Sequence, residues 1–442
     1  MTIKQFVLAY SHFYRRVKWN IILGGIFVML STSATGLEQH APVTELKGSA
    51  QAVPKTFFGM HIHNAATTTD WPIVKFGAWR LWDAYVTWFI LEPEKGKWDF
   101  QRLDRYVEMA QRNRVEVLLP LGMTPKWASS RPTENSAYGQ GYAAEPASME
   151  DWRNYVRTVA KRYKGRIHYY EIWNEPNLNI FFTGDMVKMV ELTRIASEEL
   201  KTVDPSIRVV YPSVGDIGKR MQWLDDFLSL GGGEHVDIIG YHFYVPRAKP
   251  EAMLELVRDA RQVMKKYNLV DKPLWNTEAG WLIANEDGTP EDPSLKTWIK
   301  LDRSNAGAFM ARAHILAWAA GVERYYWYSW DGKLVEPSTH QLKQHAVNAY
   351  ARTIKWLQGS VIKGCNKTAM VWNCSMVDQK GRNAWLVWTE EEKVVSWDIP
   401  KDWQVTESES LDGSKNAVEM NRKHSLHINL SPLLLRTEIT SR

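Results

Sequence analysis

Cysteine is nearly absent: the 442 residues hold two, Cys365 and Cys374. That excludes a fold built on a disulfide framework. Two thiols without matching histidine spacing also make no zinc site, so no metal and no cofactor are expected. Charge of one sign is missing too. Lys and Arg number 55 against 50 Asp and Glu, a formal +5. Four of those cations, Lys4, Arg15, Arg16 and Lys18, precede Glu38, the first acidic residue. The rest of the chain is close to neutral. Nucleic-acid binding and electrostatic membrane binding both need a concentrated basic surface, so both are excluded as expectations. Outside the amino-terminal segment, no stretch is long and apolar enough to span a bilayer. There is no solenoid repeat and no low-complexity tract.

What is present begins with Ile21–Leu30, an uncharged and mostly apolar run. Basic residues precede it, and Ser31, Thr32, Ser33 and Ala34 follow. This is the layout of a secretory signal. Residues 1–37 are read as a cleaved signal or an uncleaved inner-membrane anchor, both readings standing. The expected place is the bacterial periplasm or outside the cell. In that compartment Cys365 and Cys374 read as a disulfide, with two unpaired core thiols as the alternative. Its loop of about ten residues would contribute at most ~3 kcal/mol on the chain-entropy estimate.

Residues 38–53 are polar and unpatterned, and read as a linker. From Pro54, short β-branched and aromatic runs alternate with helical-period stretches. Strands are expected at Phe57–Asn64, Ala78–Tyr85, Val115–Leu121, His168–Asn174, Arg208–Pro212, Val236–Tyr244, Pro273–Thr277 and Arg324–Trp330. Helices are expected at Leu103–Arg112, Met149–Tyr163, Val187–Val203, Ala252–Tyr267 and Asn305–Ala320. Eight alternations predict an α/β fold, a (β/α)8 barrel over 54–357. The competing doubly wound sheet lacks its glycine-rich phosphate loop: Asn64-Ala-Ala-Thr follows the first strand. Residues 358–442 change pattern and predict a small all-β, sandwich-like domain, with strands at Ala369–Cys374, Ala384–Trp388, Lys393–Trp397 and Ser425–Leu430.

Barrel chemistry sits at the C-terminal ends of the strands. Strand four ends Ile172-Trp-Asn-Glu-Pro176 and strand seven Trp275-Asn-Thr-Glu-Ala-Gly280. Glu175 and Glu278 therefore reach one face. Two opposed carboxyls are the minimal machinery for cleaving a glycosidic bond. Their ionisation must be split, and burial and mutual repulsion can split it. Glu171 shares the strand face of Glu175 and is read as a structural ion-pair partner. His61 and His63 share a face, as do His242 and Tyr244, and both residues of the second pair are read as substrate-binding. The histidine pair is read as contacting sugar hydroxyls or as hydrogen-bonded core. The chain also has 22 tryptophans. Indole stacks on the C–H faces of sugars. Trp88, Trp127, Trp281 and Trp330 lie at or past strand ends and are read as cleft walls. Trp152, Trp318 and Trp356 fall in helical patterns and are read as packing.

The barrel resembles the retaining glycoside hydrolases of clan A, and within the clan is most similar to family 39. It is similar there to bacterial hydrolases associated with biofilm exopolysaccharides of the Psl type. The residues carrying this are Gly59-Met-His-Ile-His63, Arg80-Leu-Trp-Asp83, Leu91-Glu-Pro-Glu-Lys-Gly-Lys-Trp-Asp-Phe100, Gly122-Met-Thr-Pro-Lys-Trp-Ala128, Glu171-Ile-Trp-Asn-Glu-Pro-Asn177, His242-Phe-Tyr244 and Trp275-Asn-Thr-Glu-Ala-Gly-Trp281. The resemblance implies Glu175 as acid/base and Glu278 as nucleophile. It implies Asn174 as the partner of a sugar 2-hydroxyl and Tyr244 as a hydrogen-bond donor to the nucleophile. It implies Arg80 as the cation that holds the nucleophile's pKa low. Retention implies carboxyls about 5–5.5 Å apart.

The function expected is an endo-acting hydrolase of a bacterial exopolysaccharide, acting as a monomer on a polysaccharide or oligosaccharide. The alternatives are an exo-acting β-glycosidase such as a β-xylosidase, a transglycosylase, and a non-catalytic glycan-binding or assembly protein. Binding alone does not require two opposed carboxyls, which weighs against the last.

Overall fold

The computed structural model describes residues 42–215, 221–283, 296–331, 346–418 and 425–438. The signal or anchor segment, 1–37, lies outside them. Among the described residues no helix is long and apolar enough to cross a membrane.

Eight parallel strands form the barrel: β1 (Phe58–His61), β2 (Ala78–Arg80), β3 (Glu116–Leu121), β4 (Tyr169–Ile172), β5 (Arg208–Val210), β6 (Ile239–Tyr241), β7 (Leu274–Ala279) and β8 (Val322–Trp327). They pair in the order β5-β4-β3-β2-β1-β8-β7-β6. Parallel bridges Val210↔Ile238 and Gly215↔His242 close β5 onto β6. All eight expected strands are present, and most are shorter than their apolar runs. The ladder stops at Arg80 because Asp83 and Tyr85 take positive φ, and at Ile172 because Trp173 does. The apolar composition runs on because the residues beyond the ladder are buried as well.

Helices α1 (Gln101–Asn113), α2 (Met149–Arg162), α3 (Met186–Val203), α4 (Gln222–Ser229), α5 (Met253–Lys266), α6 (Arg303–Ala319) and α7 (Val347–Leu357) surround the barrel. In α2, Ser148 caps the first turn by accepting from the Glu150 amide, and Trp152, Tyr155, Val156, Val159 and Ala160 are buried. That i, i+3, i+4 spacing is one stripe pressed on the strands. Asp185 and Asp302 cap α3 and α6 likewise. The expected packing tryptophans Trp152, Trp318 and Trp356 are all buried. The β1–β2 connection carries no helix. Trp71 covers that face instead, stacked on Phe76 at 5.2 Å and edge-on to Trp79 at 5.3 Å.

The floor of the barrel is filled by Ala78, Leu118, Val210, Ile238, Trp275 and Tyr326. The guanidinium of Arg324 lies 4.3 Å from the ring of Tyr169 and 4.2 Å from that of Trp275. With Trp275 facing inward, strict alternation would turn Glu278 outward. Against β8, the register of β7 slips between Asn276 and Ala279. That one-residue bulge re-aims Glu278 to the barrel mouth.

The C-terminal region is antiparallel: β9 (Val361–Thr368), β10 (Val371–Val377), β11 (Asn383–Thr389), β12 (Val395–Asp398), β13 (Glu407–Glu409), β14 (Lys415–Ala417), β15 (Ser425–Ile428) and β16 (Leu433–Arg436). β12 and β15 form a separate two-stranded ribbon. The other six make one sheet with an added edge strand, Glu45–Leu46. Its Glu45 and Leu46 pair with Asn366 and Cys365. The segment expected to be a linker therefore belongs in part to this sheet. An edge strand is held by backbone hydrogen bonds, which leave no side-chain pattern to read. β9, β13, β14 and β16 were likewise not expected. The domain docks through Glu251, which accepts from Arg312 of α6 and from the Trp388 indole at 2.8 Å.

Cys365 and Cys374 form a disulfide between directly paired positions of β9 and β10. The double Cys→Ser variant should lose about 1–3 kcal/mol at most, because the hairpin already closes the loop. Denaturant unfolding followed by tryptophan fluorescence would measure it.

Candidate active site

Arg80, at the end of β2, is fully buried at 0% exposure. Its Nε donates to Glu171 Oε2 at 2.6 Å, its Nη1 to Glu278 Oε2 at 2.8 Å and its Nη2 to Asn174 Oδ1 at 2.6 Å. One planar fork thus fixes residues from β4, the loop after β4, and β7. Glu171 is the buried ion-pair partner expected from its position.

His61 Nδ1 lies 3.2 Å from the Trp327 carbonyl, an acceptor, so that nitrogen carries the proton. Its Nε2 then accepts from Arg80 Nη1 at 3.1 Å. Burial, and then Arg80, hold the His61 pKa well below its ordinary value, so the ring is neutral. Both nitrogens are used by the protein and the residue is 0% exposed. This corrects the expectation that His61 contacts a sugar. His63 differs. Asp331 accepts from the His63 amide at 2.7 Å, and His63 Nε2 is buried with no partner among the described residues.

Glu278 accepts from Arg80 on one oxygen and from the Tyr244 hydroxyl, at 2.9 Å, on the other. The Tyr244 contact is the one expected. Glu175 stands across the mouth with φ +43°, its amide donating to the Ser213 carbonyl at 2.8 Å. Its Oε1 is 3.1 Å from His242 Nδ1. His242, expected to touch substrate, sets its Nδ1 on the carboxyl of Glu175 and leaves its Nε2 without a partner among the described residues. Burial takes the His242 pKa down to about 4. A Cβ on Gly215 would come within 2.5 Å of Glu175 Oε1, so only glycine leaves that carboxyl its place.

Burial pushes both carboxyls up to about 7. At Glu278, His242 and Arg80 pull down while Glu175 and Asp83 push up. At Glu175, Arg80 pulls down and Asp83 pushes up. The expectation that Arg80 holds Glu278 low therefore needs correction: burial outweighs the cation. What separates the two glutamates is donors. Glu278 receives a guanidinium and a phenol, which favour its ionised form, whereas Glu175 has one neutral imidazole.

Asn174 keeps its Nδ2 buried and unpartnered among the described residues, as does His242 its Nε2. These are groups a polar ligand would satisfy. The tryptophan expectation fares worse. Trp88 is 0% exposed and stacks on Tyr155 at 4.7 Å, and Trp281 is 1% exposed and packs on Trp327 and Phe309. Trp330 is 2% exposed. None of the three presents an open face, because indole at a strand end is also ideal packing for the barrel rim. Trp127 is half-buried, its Nε1 donating to the Glu92 carbonyl. A half-buried aromatic beside the Glu278 partner Tyr244 was missed: Trp298, 6.3 Å from it. Asp83, Tyr138 and Tyr328 were also missed as site residues. Asp83 stands three residues past Arg80, and that strand-end position was the available signal.

The described residues contain no cluster of three or more His, Cys, Asp or Glu able to hold a metal ion.

Residues 80–294 match the family model for glycosyl hydrolases family 39. A β-xylosidase of Geobacillus stearothermophilus is 24% identical over 207 residues, covering 41% of this chain and 40% of that protein. A β-xylosidase of Caldicellulosiruptor saccharolyticus is 29% identical over 209 residues, 40% of each. The chain thus spans about 40% of the length of these curated relatives. Among solved structures, a family 39 glycoside hydrolase from Bacteroides cellulosilyticus superposes with TM-score 0.63 at 18% identity, over 82% of this chain and 76% of that one. A β-xylosidase from Caulobacter crescentus gives 0.61 at 16% identity, over 88% and 98%. These likenesses establish the shared architecture.

Substituting Gly215→Ala should displace the Glu175 carboxyl and lower kcat by about 100-fold, the scale of an ångström misplacement. The melting temperature should move little. Steady-state kinetics beside a thermal melt would check both.

Proposed function

We propose that the protein is a retaining glycoside hydrolase working by double displacement. The observation that carries this is the opposed pair of buried carboxyls with unequal donors, Glu278 held by Arg80 and Tyr244, Glu175 held by His242. Glu278 attacks the anomeric carbon as Glu175 passes its proton to the leaving oxygen. The C1–O bond to the leaving group breaks as the C1–O bond to Glu278 forms. Water then gives its proton to Glu175, attacks C1 and releases Glu278. The free Asn174 Nδ2 is placed to donate to a sugar hydroxyl, and His63 Nε2 is the second candidate contact. The family match over 80–294 and the β-xylosidase relatives support the reading.

The substrate in this reading is a polysaccharide cut internally, a bacterial exopolysaccharide, by an exported monomer. Half-buried aromatics past four strands support it, since each offers a face on which a sugar ring can stack: Phe89 after β2, Tyr142 after β3, Tyr244 after β6 and Trp298 after β7. Exo-acting β-xylosidase activity is the second reading, favoured by the names of the relatives. Product sizing after incubation with exopolysaccharides and with xylo-oligosaccharides separates them. Mid-sized oligomers mean internal cleavage and monosaccharides mean exo cleavage; retained binding without products would favour a glycan-binding protein.

Glu175→Gln and Glu278→Gln should each abolish turnover of an unactivated substrate while leaving binding intact. Near-normal activity in either would contradict its role. The pH–rate profile should be a bell near pH 7, since Glu278 must lose a proton and Glu175 must keep one. Its limbs belong to the coupled pair. The same shifts predict a stability effect. A carboxyl whose folded pKa lies above its unfolded value favours the fold at low pH, and that advantage is lost as pH rises from about 4.5 through about 7. Glu175→Gln, which breaks no ion pair with Arg80, should therefore melt higher than the parent at pH 8, read by calorimetry.

A further inference from the structure

Asp83 stands at φ +55° in the loop after β2. A non-glycine residue there is held against a backbone cost, which marks a position fixed by its surroundings. Its Oδ1 accepts from the Tyr138 hydroxyl, and its Oδ2 from the Tyr328 hydroxyl at 2.7 Å. The two tyrosines come from opposite parts of the mouth. Tyr138 belongs to the β3–α2 connection and packs with Trp82 and Phe181. Tyr328 follows β8 and packs on His61 at 5.1 Å and His63 at 5.0 Å. One carboxylate therefore joins three loops around the glutamate pair.

Other ionisable groups face the pair from every side. From β1 come His61 and, just past it, His63. Arg80 comes from β2 and Glu171 from β4. His242 and Tyr244 follow β6, and Tyr328 and Asp331 follow β8. Arg80 already serves Glu171, Glu278 and Asn174. Among the described residues no cation forms an ion pair with Asp83.

We propose that Asp83 is a positioning residue of the cleft, clasping Tyr138 to Tyr328 and setting by its charge the pH range in which Glu175 and Glu278 work. This rests on the hydrolase reading and deepens it. The electrostatics of the pair agree, since the charge of Asp83 opposes ionisation at both glutamates. Asp83 is assigned no proton transfer.

The test is the pH–rate profile of Asp83→Asn, which keeps the shape of the side chain and removes the charge. Both limbs should move to lower pH together, by about half a unit to one unit, the direction that removal of a like charge requires. Asp83→Glu should hold the limbs near the parent positions. Tyr138→Phe and Tyr328→Phe keep the charge and should lower kcat without the acid shift. Should Asp83→Asn not fold, Asp83→Ser gives the same reading. A folded neutral variant whose limbs stay in place overturns the proposal, because a purely structural role predicts loss of rate without displacement. Failure of the underlying reading is distinguishable. With an activated aryl glycoside, Glu175→Gln must lose the alkaline limb. If that limb persists, the assignment of Glu175 fails, whatever Asp83 does.

Discussion

A single buried guanidinium organises the mouth of this barrel. Arg80 has no exposure, yet it touches Glu171, Glu278, Asn174 and His61. A buried cation survives only with its donors matched, and here an ionised partner is required. Glu171 and Glu278 both answer that need, so neither can be read in isolation. Glu171 faces the interior and closes the ion pair, while Glu278 reaches the rim, 10% exposed at its side chain. Burial and the same cation keep His61 neutral, and the Trp327 carbonyl fixes its tautomer. The geometry of the site is therefore a consequence of satisfying one charge.

Around that centre the protein uses strain and shape where regular structure would misplace the groups. The bulge in β7 turns Glu278 inward, and positive φ at Trp173 and Glu175 lifts the second carboxyl out of the ladder of β4. Gly215 leaves room for it. Such departures cost stability locally and are held by the packed barrel beneath. The antiparallel domain adds to that support through Glu251, Arg312 and Trp388, far from the mouth in sequence.

The barrel was legible because each strand and helix carries its own period, and the two glutamates were legible because they close strands. Arg80 and Tyr244 meet Glu278, contacts that the family likeness implied. Other features depend on relations that no local pattern records. The short strand Glu45–Leu46 is defined by its partner β9, not by its residues. Whether an indole at a strand end walls a cleft or packs the rim depends on what covers it, and Tyr155 covers Trp88. His61 and His63 share a strand face in sequence. Arg80 claims one, and the other keeps a free nitrogen. Asp83 became visible only once Tyr138 and Tyr328 met on it.

The central claim is that the Arg80-bound carboxylate is the nucleophile. Trapping with a 2-deoxy-2-fluoro glycoside of the substrate sugar, followed by peptide mapping, tests it most directly. The account predicts one covalent glycosyl label per chain, on Glu278. A label on another residue, or complete turnover of cleavable substrate with inversion at the anomeric carbon, would contradict it.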